Sequence, residues 1–91
     1  MVVSQHYLEC INGYSFKFYS IALLEEAGAW SVARNHGAIG APVGWSFKIK
    51  GATETRARSA YASLLREKLR PRPAEGNYQE MSKIPGYLAY R

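Results

Sequence analysis

Positively charged side chains are concentrated in the middle of this 91-residue chain. The sequence carries 12 lysines and arginines against 7 glutamates and no aspartate, a formal net charge of +5. Residues 34–72 hold nine cations against two glutamates, a net charge of +7, whereas residues 1–33 carry −2 and residues 73–91 carry zero. Lysine and arginine neutralise phosphates and release condensed counterions. The asymmetry therefore favours a surface that faces a polyanion, and an ordinary solvated surface is the alternative.

We predict a nucleic-acid-binding surface, for DNA rather than RNA, built mainly from this basic segment. Its predicted residues are Arg34, His36, Gly37, Lys48, Lys50, Arg56, Arg66 and Arg70. The sequence shows no pattern for reading base edges, so the expected contacts are with the phosphate backbone and are independent of base sequence. How the helix docks decides whether Lys48 and Lys50 share a surface with the helix arginines.

Three glycines at positions 37, 40 and 44 suggest a second way to bind phosphate. A phosphate-cradling glycine loop leads into the N-terminus of a helix, whose free amide groups hold the anion. Here Gly44 is followed by Trp45 and a β-prone run. A connection between two strands is therefore the favoured interpretation.

Residues suited to catalysis or metal binding are few and poorly spaced. His6, Cys10 and His36 provide at most three ligands, with no obviously convergent carboxylate. Cys10 lies in an apolar run without the electropositive neighbours that activate a thiol, and adjacent Glu25 and Glu26 point apart in a turn. We expect no catalytic residue, no metal and no cofactor, and therefore no enzyme.

The size of the chain and its single cysteine limit the classes of protein that remain. Ninety-one residues suffice for one small core, and one cysteine excludes an internal disulfide and fits a reducing compartment. The run Ile21–Leu24 is too short to span a bilayer, and Met1–Cys10 lacks the pattern of a secretory signal. We expect no membrane contact and a cytoplasmic protein, or a nucleoid-associated or nuclear one if it binds DNA. The oligomeric state stays open.

Strands precede a single helix along the chain. The β-prone runs are Tyr7–Ile11, Phe16–Leu24, Ala29–Arg34 and Trp45–Lys50. In the last of them Trp45, Phe47 and Ile49 alternate with polar residues, as a half-buried strand requires. Asn-Gly at 12–13, Ala-Gly at 27–28 and the glycine-rich segment 36–44 separate the runs. Four strands with short connections predict an antiparallel meander.

The helix is predicted between Thr53, a good N-cap, and Pro71, which stops it. Its apolar side is lined by Ala57, Tyr61, Leu64, Leu65 and the stem of Lys68. Arginines gather on the other side. The fold expected is α+β, a four-stranded antiparallel meander with one helix packed across it. The domain is assigned to residues 1–72, and the tail, 73–91, is expected to dock on the same core after a loop over 71–77. An added strand is one arrangement of the tail, and Pro85-Gly86 leaves its shape open.

The order of these segments resembles that of WGR domains over residues 6–72. Phe16–Ile21 resembles the second strand of the family, and Trp30–Gly40 is similar to the strand and turn that carry its Trp-Gly-Arg motif. Gly44 and Trp45–Lys50 match a glycine and a basic strand, and Thr53–Arg70 matches the helix. The helix match includes Ala57, Tyr61, Leu64, Glu67 and Lys68. His36-Gly37-Ala38 stands where the family has Trp-Gly-Arg.

The resemblance implies a nucleic-acid-binding module, because WGR domains occur in poly(ADP-ribose) polymerases and short bacterial proteins and are regarded as such modules. The family's tryptophan packs on a sugar near a DNA end, and its arginine makes phosphate or interdomain contacts. At the matching positions His36 can stack on a ribose or base, Gly37 keeps the turn and Ala38 carries no charge. A protein-interaction or regulatory module that has lost DNA binding is the alternative function.

Overall fold

The computed structural model describes residues 1–72 and 76–90, so residues 73–75 and 91 of the predicted loop and tail lie outside the described residues. The elements are, in order, β1 (Val2–Ile11), β2 (Phe16–Glu26), β3 (Ala29–Ala38), β4 (Ala41–Pro42), β5 (Ser46–Ala52), α1 (Glu54–Leu69), β6 (Gln79–Met81) and a 3₁₀ turn (Gly86–Leu88). The predicted α+β class is confirmed, with one α-helix packed across an antiparallel sheet.

In the described part of the chain the sheet has six strands instead of the predicted four. Its order is β4-β3-β2-β1-β6, and β5 pairs with β3 beside β4. The predicted runs correspond to β1, β2, β3 and β5, whereas the two additional strands are only two and three residues long. β6, paired with β1, is the added strand that the sequence left open for the tail. Strands this short are held by a few backbone hydrogen bonds, and their exposed residues show no alternation that would fix their bounds.

The segment 36–44, predicted as a loop, contributes part of this additional pairing. β3 continues through His36 and Gly37 to Ala38, and the chain then returns as β4. Gly37 pairs with Pro42 and Ala38 with Ala41. The glycine-rich segment is therefore a tight hairpin at one end of β3.

β2 is the centre of the core and is buried on both faces. Tyr19, Ile21 and Leu23 point toward α1, which packs Ala57, Tyr61 and Leu64 against them. Alternating side chains of the same strand point to the other face of the sheet. Thr53 is the N-cap of α1, as predicted: its hydroxyl accepts a hydrogen bond from the Arg56 amide at 3.3 Å.

The C-terminal segment covers the sheet face opposite the helix. Leu88 is fully buried there with Tyr7 and Phe18, and the ring of Tyr90 meets that of Trp45 edge-on with centroids 5.0 Å apart. Gln5 of β1 holds the segment, because its side chain donates to the Leu88 carbonyl and accepts from the Tyr90 amide. Both faces of the sheet are therefore covered.

The strict alternation predicted for Trp45, Phe47 and Ile49 is wrong. Phe47 pairs with Ala33, yet Ile49 pairs with Val32, so an irregularity in β5 inserts Lys48 between them. Ile49 packs on the helix side, whereas Trp45 packs on the opposite side. A bulge of this kind reverses the facing of the residues that directly follow it, and a second irregularity lies between Ile49 and Ala52.

α1 has 16 residues and carries charged side chains along its exposed side.

Within residues 1–72 and 76–90, no helix combines the length and the apolar character needed to cross a membrane.

Candidate nucleic-acid interface

Basic and aromatic side chains meet at one end of the sheet, on the helix side. Tyr19 of β2 pairs with His36 of β3, and Ile21 pairs with Arg34, so Tyr19, His36 and Arg34 share one face. Lys68, in the last turn of α1, lies over the same place. An open depression of about 680 Å³ results. We call it the Tyr19 pocket, and the lining residues that matter below are Tyr14, Lys17, Tyr19, Arg34, His36, Gly37, Lys68 and Tyr78.

Aromatic rings hold the cations of this pocket in place. The Lys68 ammonium nitrogen lies 4.6 Å from the centre of the Tyr19 ring, and that of Lys17 lies 5.5 Å from the centre of the Tyr78 ring. The exposed His36 ring stacks on Tyr19 with centroids 5.6 Å apart and planes 9° from parallel. Cation–π attraction of this kind fixes an ammonium group without neutralising it. The positive charge therefore stays available to a ligand.

The cations of the Tyr19 pocket repel one another. Burial lowers the pKa of the Lys68 ammonium, Glu67 opposes this shift, and the neighbouring Arg72, Arg34 and Lys17 charges lower the pKa further. Within residues 1–72 and 76–90 the glutamates form ion pairs with His6, Arg58 and Arg72, and none with Lys17, Arg34 or Lys68. An anion placed among these three cations would relieve the repulsion.

The tyrosines beneath the cations add no negative charge. Burial raises the pKa of the Tyr19 hydroxyl, although the Arg34 guanidinium opposes this as a charge and as a hydrogen-bond donor. Burial also raises the pKa of the Tyr78 hydroxyl. Both phenols are neutral at physiological pH because their ordinary values already lie near 10. The pocket is therefore electropositive with neutral hydroxyls beside it.

Gly37 shapes the wall of the pocket. Its φ of +140° is disfavoured for residues with a side chain, and a Cβ atom would lie 2.7 Å from the Ala41 carbonyl oxygen. The β3–β4 hairpin therefore requires glycine at this position.

We expect Gly37→Ala to lower the free energy of unfolding by about 1–3 kcal/mol, because alanine must adopt the strained φ and displace the β4 backbone. Urea denaturation followed by circular dichroism measures this. Gly40→Ala is the matched control: its φ is +91°, but open space surrounds the added Cβ, so the loss is smaller. Equal losses for the two variants would contradict the role of the close approach to Ala41.

The structure distributes the predicted contact residues over four places. Only Arg34, His36 and Gly37 lie together in the Tyr19 pocket. Lys48 and Arg56 line a second depression, between β5 and α1. The Lys50 ammonium lies 4.9 Å from the Phe47 ring, in a different depression.

The helix arginines form the fourth place. Arg66 and Arg70 flank a depression near the C-terminal end of α1, and the Arg66 guanidinium donates to the Ser63 hydroxyl at 3.3 Å. Both side chains belong to exposed residues. The predicted basic residues therefore lie in four depressions, of which that of Lys48 with Arg56 and that of Arg66 with Arg70 adjoin at Ser63.

Lys17 and Lys68 line the Tyr19 pocket but are not among the contact residues predicted from the sequence. Lys17 lies in the segment with a net charge of −2, but its alternation with Phe16 and Phe18 was a signal that it shares a face with Tyr19. The sequence places the aliphatic part of the Lys68 side chain on the apolar side of the helix. A lysine on the sheet-facing side of a helix end brings its ammonium group to the edge of the core, as observed here.

The other residues considered for catalysis or metal binding are paired within the fold or buried. His6 contacts the Tyr61 hydroxyl through Nδ1, and its Nε2 lies 3.2 Å from a Glu80 carboxylate oxygen, which connects β1, α1 and β6. Cys10 is fully buried. The described part of the chain contains no group of three or more potential metal ligands.

Comparison of the chain with protein-family models, with curated proteins and with solved structures finds no match.

Proposed function

We propose that this protein is a small, non-enzymatic nucleic-acid-binding module whose Tyr19 pocket holds the phosphate backbone. The observation that supports it is that Lys17, Arg34 and Lys68 line one pocket with Tyr19, while no described glutamate forms an ion pair with them. Cations without an ion-pair partner beside aromatic rings suit a flexible polyanion, because phosphates supply negative charge and the rings limit the motion of the lysines. The contacts are with the backbone and carry no base specificity.

A WGR-like relationship is part of this proposal. In the resemblance described above, Ala38 occupies the position of the family's arginine. Lys17 is the cross-strand partner of Ala38 in the β2–β3 register. Side chains that face each other across two antiparallel strands are about 5 Å apart at Cβ, so the neighbouring strand supplies a cation beside the position where the family's own is missing.

The remaining basic residues have a supporting role in the proposal. Lys48, Arg56, Arg66 and Arg70 are exposed and lie outside the Tyr19 pocket. Exposed charges outside a binding site raise the local concentration of a polyanion and accelerate association, and salt screens them.

Salt dependence tests the proposal. The pocket cations Lys17, Arg34 and Lys68 offer three phosphate contacts. With three contacts the slope of log K against log salt concentration is expected to be about −2.7 on duplex DNA and about −2.1 on a single strand. Fluorescence anisotropy with labelled blunt, nicked and single-stranded DNA and with RNA, over a series of salt concentrations, measures it. A slope near zero, or no binding at low salt, would contradict the function.

A protein-interaction module is the second candidate, and one observation favours it. An open depression of about 580 Å³ at a different place on the molecule is lined by apolar groups of Met1, Val2, Leu24, Phe47 and Tyr90. Met1, Val2 and Phe47 are 79%, 38% and 44% exposed. Exposed apolar side chains around a concave surface are typical of protein contacts. This candidate replaces the first if the protein binds no nucleic acid.

A further inference from the structure

Tyr14 lies at the mouth of the Tyr19 pocket and makes almost no contact with the rest of the protein. It is in the connection between β1 and β2, it lines the pocket, and its relative exposure is 102%. An aromatic ring left wholly in water gives up the stabilisation of about 1.5–3 kcal/mol that burial of a large apolar side chain provides. The fold itself gains nothing from tyrosine at this position.

The backbone that carries Tyr14 is nevertheless well fixed. The Asn12 side-chain oxygen accepts hydrogen bonds from the Tyr14 amide at 2.7 Å and from the Ser15 amide at 2.8 Å. The backbone N–H of Asn12 in turn donates to the Ser15 carbonyl at 2.9 Å. An Asx-type turn of this kind restricts the chain in the absence of a ligand. The backbone that carries the ring is thus ordered before a ligand binds, which lowers the entropic cost of binding, and Lys17 lines the same pocket.

We propose that the ligand of the Tyr19 pocket is single-stranded nucleic acid, with one unpaired base stacked on Tyr14 while the neighbouring phosphates contact Lys17, Arg34 and Lys68. The proposal rests on the proposed function and specifies its substrate class. Inside a duplex the faces of the bases are covered by their neighbours, so an exposed ring beside a phosphate site can stack only on a terminal base pair. An unpaired base has a free face, and alternating cations and aromatic rings are typical of single-strand binding surfaces.

The volume and the chemistry of the pocket agree with this ligand. A depression of about 680 Å³ lies within the range of about 300–1,000 Å³ found for small-molecule sites, so it is large enough for a nucleotide-sized group. The cationic groups come from β2, β3 and α1, and the exposed ring comes from the β1–β2 connection. A backbone lying across the cations would therefore have its next base near Tyr14.

The test compares a labelled 12-nucleotide single strand with the duplex of the same sequence, for the wild type, Tyr14→Ala, Tyr14→Phe and Tyr87→Ala. Tyr87 is 60% exposed and does not line the pocket, so it is the matched control for loss of an exposed tyrosine. We expect Tyr14→Ala to weaken single-strand binding at least about fivefold, the lower limit for one stacked base, and to leave duplex binding unchanged. Tyr14→Phe and Tyr87→Ala should bind like the wild type, and the salt slope should stay the same in all variants because no charge changes.

The outcomes separate this inference from the proposed function. If single strand and duplex bind equally and Tyr14→Ala has no effect, the stacking proposal is overturned, while a salt-dependent affinity still supports the function. If the wild type binds neither nucleic acid, both are overturned. Upfield shifts of the Tyr14 ring protons in NMR spectra on adding the single strand would confirm stacking directly, and unchanged ring signals would count against it.

Discussion

Reversing the charge of both Lys17 and Lys68 to glutamate is expected to reduce the affinity for nucleic acid at least about a hundredfold. Each of the two substitutions removes one charge-assisted contact, worth about 1.5–3 kcal/mol, and 1.4 kcal/mol corresponds to a factor of ten in affinity. The introduced carboxylates also repel the phosphates. The salt slope should become shallower by about 0.9 for each lost contact on duplex DNA. Fluorescence anisotropy at three salt concentrations measures both quantities.

Arg66→Glu with Arg70→Glu is the matched control, because it changes the net charge by the same amount on the far side of α1. Exposed charges are screened over about 10 Å at 0.1 M ionic strength, so this pair should lower the affinity much less than the pocket pair. A larger loss of affinity from the helix pair would show that the binding surface is on the outer side of α1. Lys17→Gln with Lys68→Gln removes the charges but keeps long polar side chains, so it controls for misfolding caused by the glutamates. This variant should also lose affinity, by a smaller factor.

This comparison matters because the sequence alone points to the helix arginines. Their spacing places them on the polar side of a helix, and the run 34–72 holds the whole excess of charge. A linear count of charge cannot show which cations have carboxylates beside them, or which strand lies next to a helix end. Lys17 illustrates this: it comes from a segment with net negative charge, yet it contacts the Tyr78 ring and lines the same pocket as Arg34 and Lys68.

The general architecture follows from strong local signals. The strand runs are rich in aromatic and β-branched residues, and the helix has a capping threonine at its start and a proline after its end. These signals act within a few residues, which explains why the α+β class and α1 were predictable. The β3–β4 pairing and the β5 bulge depend on contacts between segments, and the same is true of β6 and β1. Alternation within one segment contains no information about them.

The tail shows the same difference between local pattern and tertiary contact. Ile84, Tyr87, Leu88 and Tyr90 suggest an apolar segment but do not indicate which of them is buried. In the fold, Leu88 is fully buried and its neighbour Tyr87 is 60% exposed. The 3₁₀ turn produces this contrast, because adjacent residues of a helical turn point in different directions.

Replacing Leu88 by alanine is expected to lower the free energy of unfolding by about 2–5 kcal/mol, a large share of the 5–15 kcal/mol typical of a domain. The variant would leave a cavity against Tyr7 and Phe18, whose rings line the sheet face opposite the helix. For a domain of this size, about 4–8 °C of melting temperature is lost per kcal/mol, so a fall of at least about 8 °C should be visible by calorimetry. Tyr87→Ala, at the exposed adjacent position, should change the stability by no more than about 0.5 kcal/mol.

The same pair of variants tests whether the tail and the Tyr19 pocket are separable in function. Phe18 touches Leu88 on one face of the sheet, while its neighbours Lys17 and Tyr19 serve the pocket on the other face. Leu88→Ala should therefore bind nucleic acid with the affinity of the wild type at a temperature well below its own transition. A loss of affinity in the fully folded variant would show that packing behind β2 positions the pocket. An unchanged melting temperature would instead show that the segment 84–90 does not stabilise the sheet in solution.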